Sequence, residues 1–295
     1  MNFVKSILYY VWRIAACSFI FAFGLIASRL ILHPLGLTPP RLPQQADESI
    51  AVYYLLSGSI LLSLSLLPFA QKISGAFFTR FLSMFFFFFA CFGISVSLES
   101  SIYSSIEGFD LMILILLLPI VLFSFTCISL TKSQPTSESF SQKSLRFFKS
   151  NTRSEWAWKI LLAFLSFPVI YLLFGIIASP LVADYYRESN YGLAIPDIGT
   201  IMTVQLVRSL LFLMATLPIM ITWFGNRVQL VVMLGIAHFM FVFSYDIVLA
   251  YQLPIKLVLT HAIEILLDSM VYAWVMVKLL YSERSESTSA QMRSA

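Results

Sequence analysis

The sequence predicts an all-α, polytopic integral membrane protein of eight transmembrane helices, arranged as two parallel four-helix repeats. Three observations lead there. The 295-residue chain is 59% hydrophobic and 12% charged, with a mean hydropathy of +0.86, whereas a soluble domain is roughly a quarter charged. Its apolar residues fall in blocks of about 20, the length that crosses roughly 30 Å of hydrocarbon. Between the blocks, basic residues gather on alternate sides, as the positive-inside rule requires.

The first block, 11–32, contains Ile14-Ala15-Ala16-Cys17, which has the look of a lipoprotein cleavage box. Arg13 interrupts the apolar region just before it and the run continues to Leu32, which argues for a retained helix. Blocks at 50–70, 80–99 and 110–130 complete an N-terminal membrane half, 1–130. The run FFFFF (85–89) reads as lipid-facing or as core filler. Residues 131–157 form a basic, Ser-rich linker, flexible at 131–142 and an interfacial helix at about 143–156. There Lys143, Arg146, Lys149 and Arg153 alternate with Leu145, Phe147, Phe148 and Trp156. Positive-inside anchoring explains this basic run without a nucleic-acid partner. The C-terminal half, 158–281, holds blocks at 158–182, 198–223, 228–250 and 255–281 and is followed by a disordered tail, 282–295. The Tyr-rich stretch 183–197 reads as an aromatic belt at the membrane interface.

Orientation follows from the loops. Lys5, Arg13, Lys72, Arg80, the linker cations, Arg227, Lys278, Arg284 and Arg293 share one side. Asp47, Glu48, Glu99, Glu107, Asp110, Asp184, Glu188 and Asp197 share the other. Both termini and the linker are therefore expected in the cytoplasm. Compact loops and the absence of an Asn-x-Ser/Thr sequon point to a bacterial inner membrane. Cys17, Cys91 and Cys127 all lie in apolar blocks and read as buried thiols rather than a disulfide framework.

The chain resembles itself. FGLIASRL (23–30) and FGIIASPL (174–181) share six of eight positions. Leu67-Pro68 with Gly75 corresponds to Leu217-Pro218 with Gly225, and Arg80, Ala90, Phe92, Ser97 and Glu99 align with Arg227, Ala237, Phe239, Ser244 and Asp246. LMILILLLP (111–119) lies over HAIEILLDS (261–269). Four colinear pairs at offsets of 147 to 151 predict a duplicated four-helix unit. An even number of helices gives both units the same orientation, with a pseudo-two-fold axis along the membrane normal. Gly24/Ser28 and Gly175/Ser179 give each unit a small-xxx-small face.

The second unit carries polar residues where the first is apolar. His261, Glu264 and Asp268 replace Leu111, Leu114 and Leu118; Arg208 replaces Gly58, Gln205 replaces Leu55 and His238 replaces Cys91. His261, Glu264, Asp268 and Tyr272 fall within about 80° of one helix face. Counted at about 1.5 Å per residue from the outer ends, Asp246 and His261 lie about 6–8 Å deep, Arg208 and Glu264 about 12–15 Å, and His238 and Asp268 about 18 Å. Depth alone thus predicts three pairs: Asp246 with His261, Arg208 with Glu264, and His238 with Asp268. An unpaired charge there costs roughly 3 kcal/mol or more, so pairing is expected.

These residues are the candidates for binding or proton relay, and equally for fastening three helices together. No HExxH, phosphate loop or GxSxG is present. His261-x-x-Glu264 alone falls short of the three or four ligands of a zinc site, so no metal or other cofactor is assigned. Three functions remain. The first is a transporter or permease for a small molecule or ion, with its site on helices six to eight. The second is an intramembrane enzyme acting on a lipid or membrane peptide, and the third a non-catalytic scaffold or sensor partner. A water-reachable cavity lined by Glu264 and Arg208 favours the first, a cavity holding a metal the second, and no cavity the third.

Overall fold

Every apolar block that the hydropathy pattern marks becomes a helix. The computed structural model describes residues 3–36, 48–104, 109–132, 136, 138–188, 191–250 and 253–281. Among these, no strand forms, and the backbone is satisfied within helices as hydrocarbon demands. The helices are α1 (Phe3–Leu32), α2 (Glu48–Ala70), α3 (Phe77–Phe88), α4 (Ser95–Tyr103), α5 (Phe109–Leu130), α6 (Phe140–Lys149), α7 (Arg153–Arg187), α8 (Ile198–Thr222), α9 (Arg227–Leu249) and α10 (Ile255–Leu280). A π-helical segment, Phe89–Ile94, joins α3 to α4 in one continuous rod.

Seven of these rods are long and apolar enough to cross a membrane: α1, α2, α3 through α4, α5, α7, α8 and α9. The chain is thus built for a membrane. α10 is not one of the seven, although it has 26 residues, and it carries Lys256, Glu264, Asp268 and Lys278 along its length. Its Asp268, Tyr272, Ala273, Met276 and Val277 are buried between its neighbours α7 and α9.

Polar caps decide where several helices begin. Ser139 accepts from Gln142 N while the Gln142 side chain accepts from Ser139 N, a capping box that starts α6. Thr152 and Glu155 form the same box at α7. Asp197 and Asn226 accept from the Thr200 and Gln229 amides at the starts of α8 and α9. These caps revise the expected linker. Its helix starts at Phe140, ahead of the expected 143, and ends at Lys149, while Arg153–Ala157 belong to α7. Lys143 is also not a surface anchor: it is 3% exposed and its ammonium donates to Ser74 Oγ at 2.7 Å. Phe147 and Phe148 instead pack on Trp156, whose indole donates to Phe148 O. The expected tail, 282–295, lies outside the described residues.

Helix packing is regular. α1 packs on α2 and α5, and α7 on α8 and α10. The α3–α4 rod packs on α5, and α9 on α10. Between these groups α2 meets α9, and α8 meets the α3–α4 rod. At the α6 end, the turns after α2 and α8 join by reciprocal bonds: Ser74 N donates to Thr222 O at 2.9 Å and Phe224 N to Lys72 O at 2.7 Å. The middle is aromatic. Phe21, Phe88, Phe92, Phe123 and Phe241 contact one another, so the phenylalanine run splits: Phe87 and Phe88 are core and Phe86 is exposed.

Two close approaches set how open each part of the bundle is. A Cβ on Gly24 would stand 2.6 Å from Pro119 Cα, so α1 and α5 touch backbone to backbone. At Gly175 the Cβ would meet only Glu264 Oε1, at 3.5 Å. α7 and α10 therefore stand further apart there, and the extra space is where the polar residues lie.

Candidate functional site

Between α4, α7, α9 and α10, at the end of the bundle away from α6, lies a cavity of about 380 Å³. Its walls are mostly aliphatic and tyrosine, and its ionisable lining residues are Glu99, Asp246, His261 and Glu264 with the tyrosines. A second void of about 30 Å³ continues inward between Arg208, His238, Asp268 and Tyr272. Glu99, Tyr171, His261 and Glu264 line both.

Arg208 anchors the cluster, and its partner corrects the depth-based pairing. Its Nη1 lies 2.8 Å from Glu99 Oε1, not on Glu264, and the two side chains are 4% and 13% exposed. Nε donates to Ser95 Oγ at 2.8 Å and Nη1 to Gln205 Oε1 at 3.0 Å. The guanidinium also sits 5.5–5.8 Å from the rings of Phe167, Tyr171 and Phe212, close enough for cation–π attraction. Arginine stays protonated at any accessible pH, so these acceptors are the condition for burying it.

The π-helical segment is the reason that position along the chain does not point to Glu99. Six residues wound at the wider π pitch turn Ser95–Tyr103 out of the register that α3 sets. Ser95 and Glu99, four residues apart on one helical face, then both reach Arg208. Position in the sequence suggested only an acidic residue at an outer helix end.

His261 joins two carboxylates. Nδ1 lies 3.3 Å from Glu264 Oε2 and Nε2 lies 3.7 Å from Asp246 Oδ2. The second separation is longer than a hydrogen bond, and Asp246 Oδ2 has no hydrogen-bond partner. Depth matching did bring Asp246 and His261 together. It fails for the third pair: His238 is not bonded to Asp268 but sits 3.8 Å from Cys91 Sγ, with the rings of Phe87 and Phe212 at 5.4 and 5.1 Å. Asp268 is 6% exposed, and its Oδ1 has no partner, like Tyr272 OH and His238 Nδ1 around the same small void.

Tyrosines form the upper wall. Tyr171 OH donates to Tyr103 OH at 2.8 Å, Ser100 Oγ donates to Tyr245 OH at 3.0 Å, and Tyr186 and Tyr191 complete the rim. Parts of the stretch 183–197 therefore line the cavity as well. Ala194 N donates to Tyr103 O at 2.9 Å, which holds residues 191–197 against the end of α4.

The arrangement can hold a small solute and can pass protons between neighbouring carboxylates and imidazole. Among the described residues, no three His, Cys, Asp or Glu side chains converge as metal ligands. No family model, curated protein or solved structure matches the chain.

Proposed function

We propose that this protein is a membrane transporter or permease of eight spans, α10 being the eighth, which takes a small solute into the cavity between α4, α7, α9 and α10. The observation that carries this reading is the cavity itself: about 380 Å³, within the usual range for ligand sites, and floored by ionisable groups. A scaffold fastened by ion pairs has no use for such a volume beside its charges. The distribution of basic residues supports cytoplasmic termini in a bacterial inner membrane, which turns the cavity mouth outward.

The two halves are equivalent four-helix units related by an axis along the membrane normal. Support comes from contacts that exchange when the halves are swapped. α1 on α5 becomes α7 on α10, the α3–α4 rod on α5 becomes α9 on α10, and α2 on α9 becomes α8 on the α3–α4 rod. At the axis the Ser74–Thr222 and Lys72–Phe224 bonds are images of each other, and Cys91 meets its aligned counterpart His238. Where Gly58 would bring a Cβ within 2.7 Å of Ser244 O, its counterpart Arg208 reaches Ser95. One half seals its helices tightly and the other keeps the site.

Proteoliposomes loaded with a pH-sensitive dye test this, together with cysteine replacements at Ser179 and Tyr191 in the cavity wall. Labelling of both cysteines by an impermeant thiol reagent from outside, and solute-driven proton movement lost in Glu264→Gln, is the expected result. Labelling only from the cytoplasmic side, or no flux for a broad panel of solutes, overturns the proposal.

A further inference from the structure

We infer that the solute is an amphiphilic organic cation that reaches the cavity sideways from the lipid, a deepening that rests on the transporter reading above. Charge is the first ground. Four carboxyl groups, Glu99, Asp246, Glu264 and Asp268, line the two adjoining spaces, against Arg208 and His261. Arg208 is committed to Glu99, and Asp268 Oδ1 faces the inner void without a partner. Buried carboxylates call for a cation, either protons or a charged ligand.

The walls give the second ground. Tyrosine faces attract alkylated ammonium groups, and Tyr103, Tyr171, Tyr186 and Tyr245 surround the space above the acids. The rest of the lining is aliphatic, which suits a hydrocarbon tail and not a sugar or an inorganic ion.

The portal is the third. Ile176, Ile195 and Ile198 line the cavity and are yet 70%, 59% and 63% exposed, so the cavity is not closed by protein on this flank. The neighbour of Ile176, Gly175, faces Glu264, which lies about 14 Å along α10 from its start. The cavity is thus open beside α7 from Ile198, the first residue of α8, down to Ile176 next to Gly175, and an amphiphile lying in the lipid with its head towards the interface enters along that flank. Gly175, Ala178, Ser179 and Ala183 keep that flank of α7 narrow.

The test measures binding to the full-length protein in nanodiscs of zwitterionic lipid, with empty nanodiscs subtracted. Three probes separate the grounds: octyltrimethylammonium, octyl sulfate with a similar tail and opposite charge, and tetramethylammonium, the head alone. Saturable binding of octyltrimethylammonium, at least tenfold tighter than of either other probe, is expected. The loss should be tenfold or more in Glu264→Gln/Asp246→Asn. Ser179→Trp, which fills the cavity from α7 and leaves all four carboxyl groups in the chain, should lose binding equally and covers the case where the acid variant does not fold. Equal binding of octyl sulfate overturns the charge assignment, and equal binding of tetramethylammonium overturns access from lipid. Unchanged binding in a folded Ser179→Trp overturns the site. Cation binding without flux in proteoliposomes keeps this assignment and sinks transport, and flux without cation preference does the reverse.

Discussion

Arg208 on α8 and Glu99 on α4 form a buried ion pair at 2.8 Å, joining α8 to the α3–α4 rod. Removing one partner of such a pair leaves the other charge buried, at a cost of about 3–5 kcal/mol. Glu99→Gln should therefore destabilise the protein more than Glu264→Gln, because Glu264 has His261 rather than Arg208 beside it. Thermal unfolding in detergent measures the difference, and the opposite order would return Arg208 to Glu264. Arg208→Lys should also fail to substitute, since a single ammonium cannot reach Ser95, Glu99 and Gln205 in the arginine's geometry.

The π-helical segment is what brings Glu99 to Arg208. Six residues at π pitch turn the chain about as far as five in an α-helix, so deleting Phe89 should restore a regular helix and leave α4 facing as it does. Cysteines at Ser100 and Tyr245, whose side chains meet at 3.0 Å, should then be joined by a short bifunctional thiol reagent in the parent and the deletion variant alike, whereas one alanine inserted after Ile94 should turn α4 by about 100° and abolish the link. A link lost on deletion, or kept on insertion, would show that the segment does not set the register.

Gly24 and Gly175 should respond differently to a methyl group. Gly24→Ala forces Cβ against Pro119 Cα and should destabilise by about 1–3 kcal/mol through overpacking. Gly175→Ala meets only an ordinary contact and should fold like the parent, while Gly175→Leu intrudes into the cavity and should abolish solute binding. Equal melting temperatures for the two alanine variants would remove the packing difference that opens the site.

Lys143 and Lys149 lie on one short helix yet face different surroundings. Acetylation of the native protein, read by mass spectrometry, should modify exposed Lys149 readily and leave buried Lys143 protected. Equal modification would mean that α6 does not dock over the Ser74–Thr222 junction.

Asp197 caps α8, and its hydrogen bonds from the Thr200 side chain and amide hold its carboxyl below the usual range. A depressed folded value makes the cap complete at neutral pH, and its contribution is lost as pH falls through that value. Protection of the Thr200 amide, its exchange rate taken relative to the intrinsic rate at each pH, should thus be high near neutrality and fall in acid. Asp197→Ala should show low protection at every pH, and Asp197→Asn should stay protected.

Apolar block length and the Ser, Thr, Asp and Asn caps determined the helices, since both act within a few residues along the chain. Composition likewise determined that the chain is built for a membrane. The sequence also isolated Arg208, His261, Glu264 and Asp268, because ionisable groups stand out in an apolar background. Which of them meet was decided only in three dimensions. Rotation of a helix about its own axis sets a side chain's partner, and the π-helical turn changed that rotation for Glu99 without altering hydropathy. Depth places Arg208 level with Glu264 equally well, but depth says nothing of azimuth. Lys143 read as a surface cation because its helix is basic and amphipathic, and its burial depends on a receiving site, Ser74, that lies 69 residues away. The cavity, finally, is a gap between helices, set by how closely α7 and α10 approach, and no local pattern records that distance.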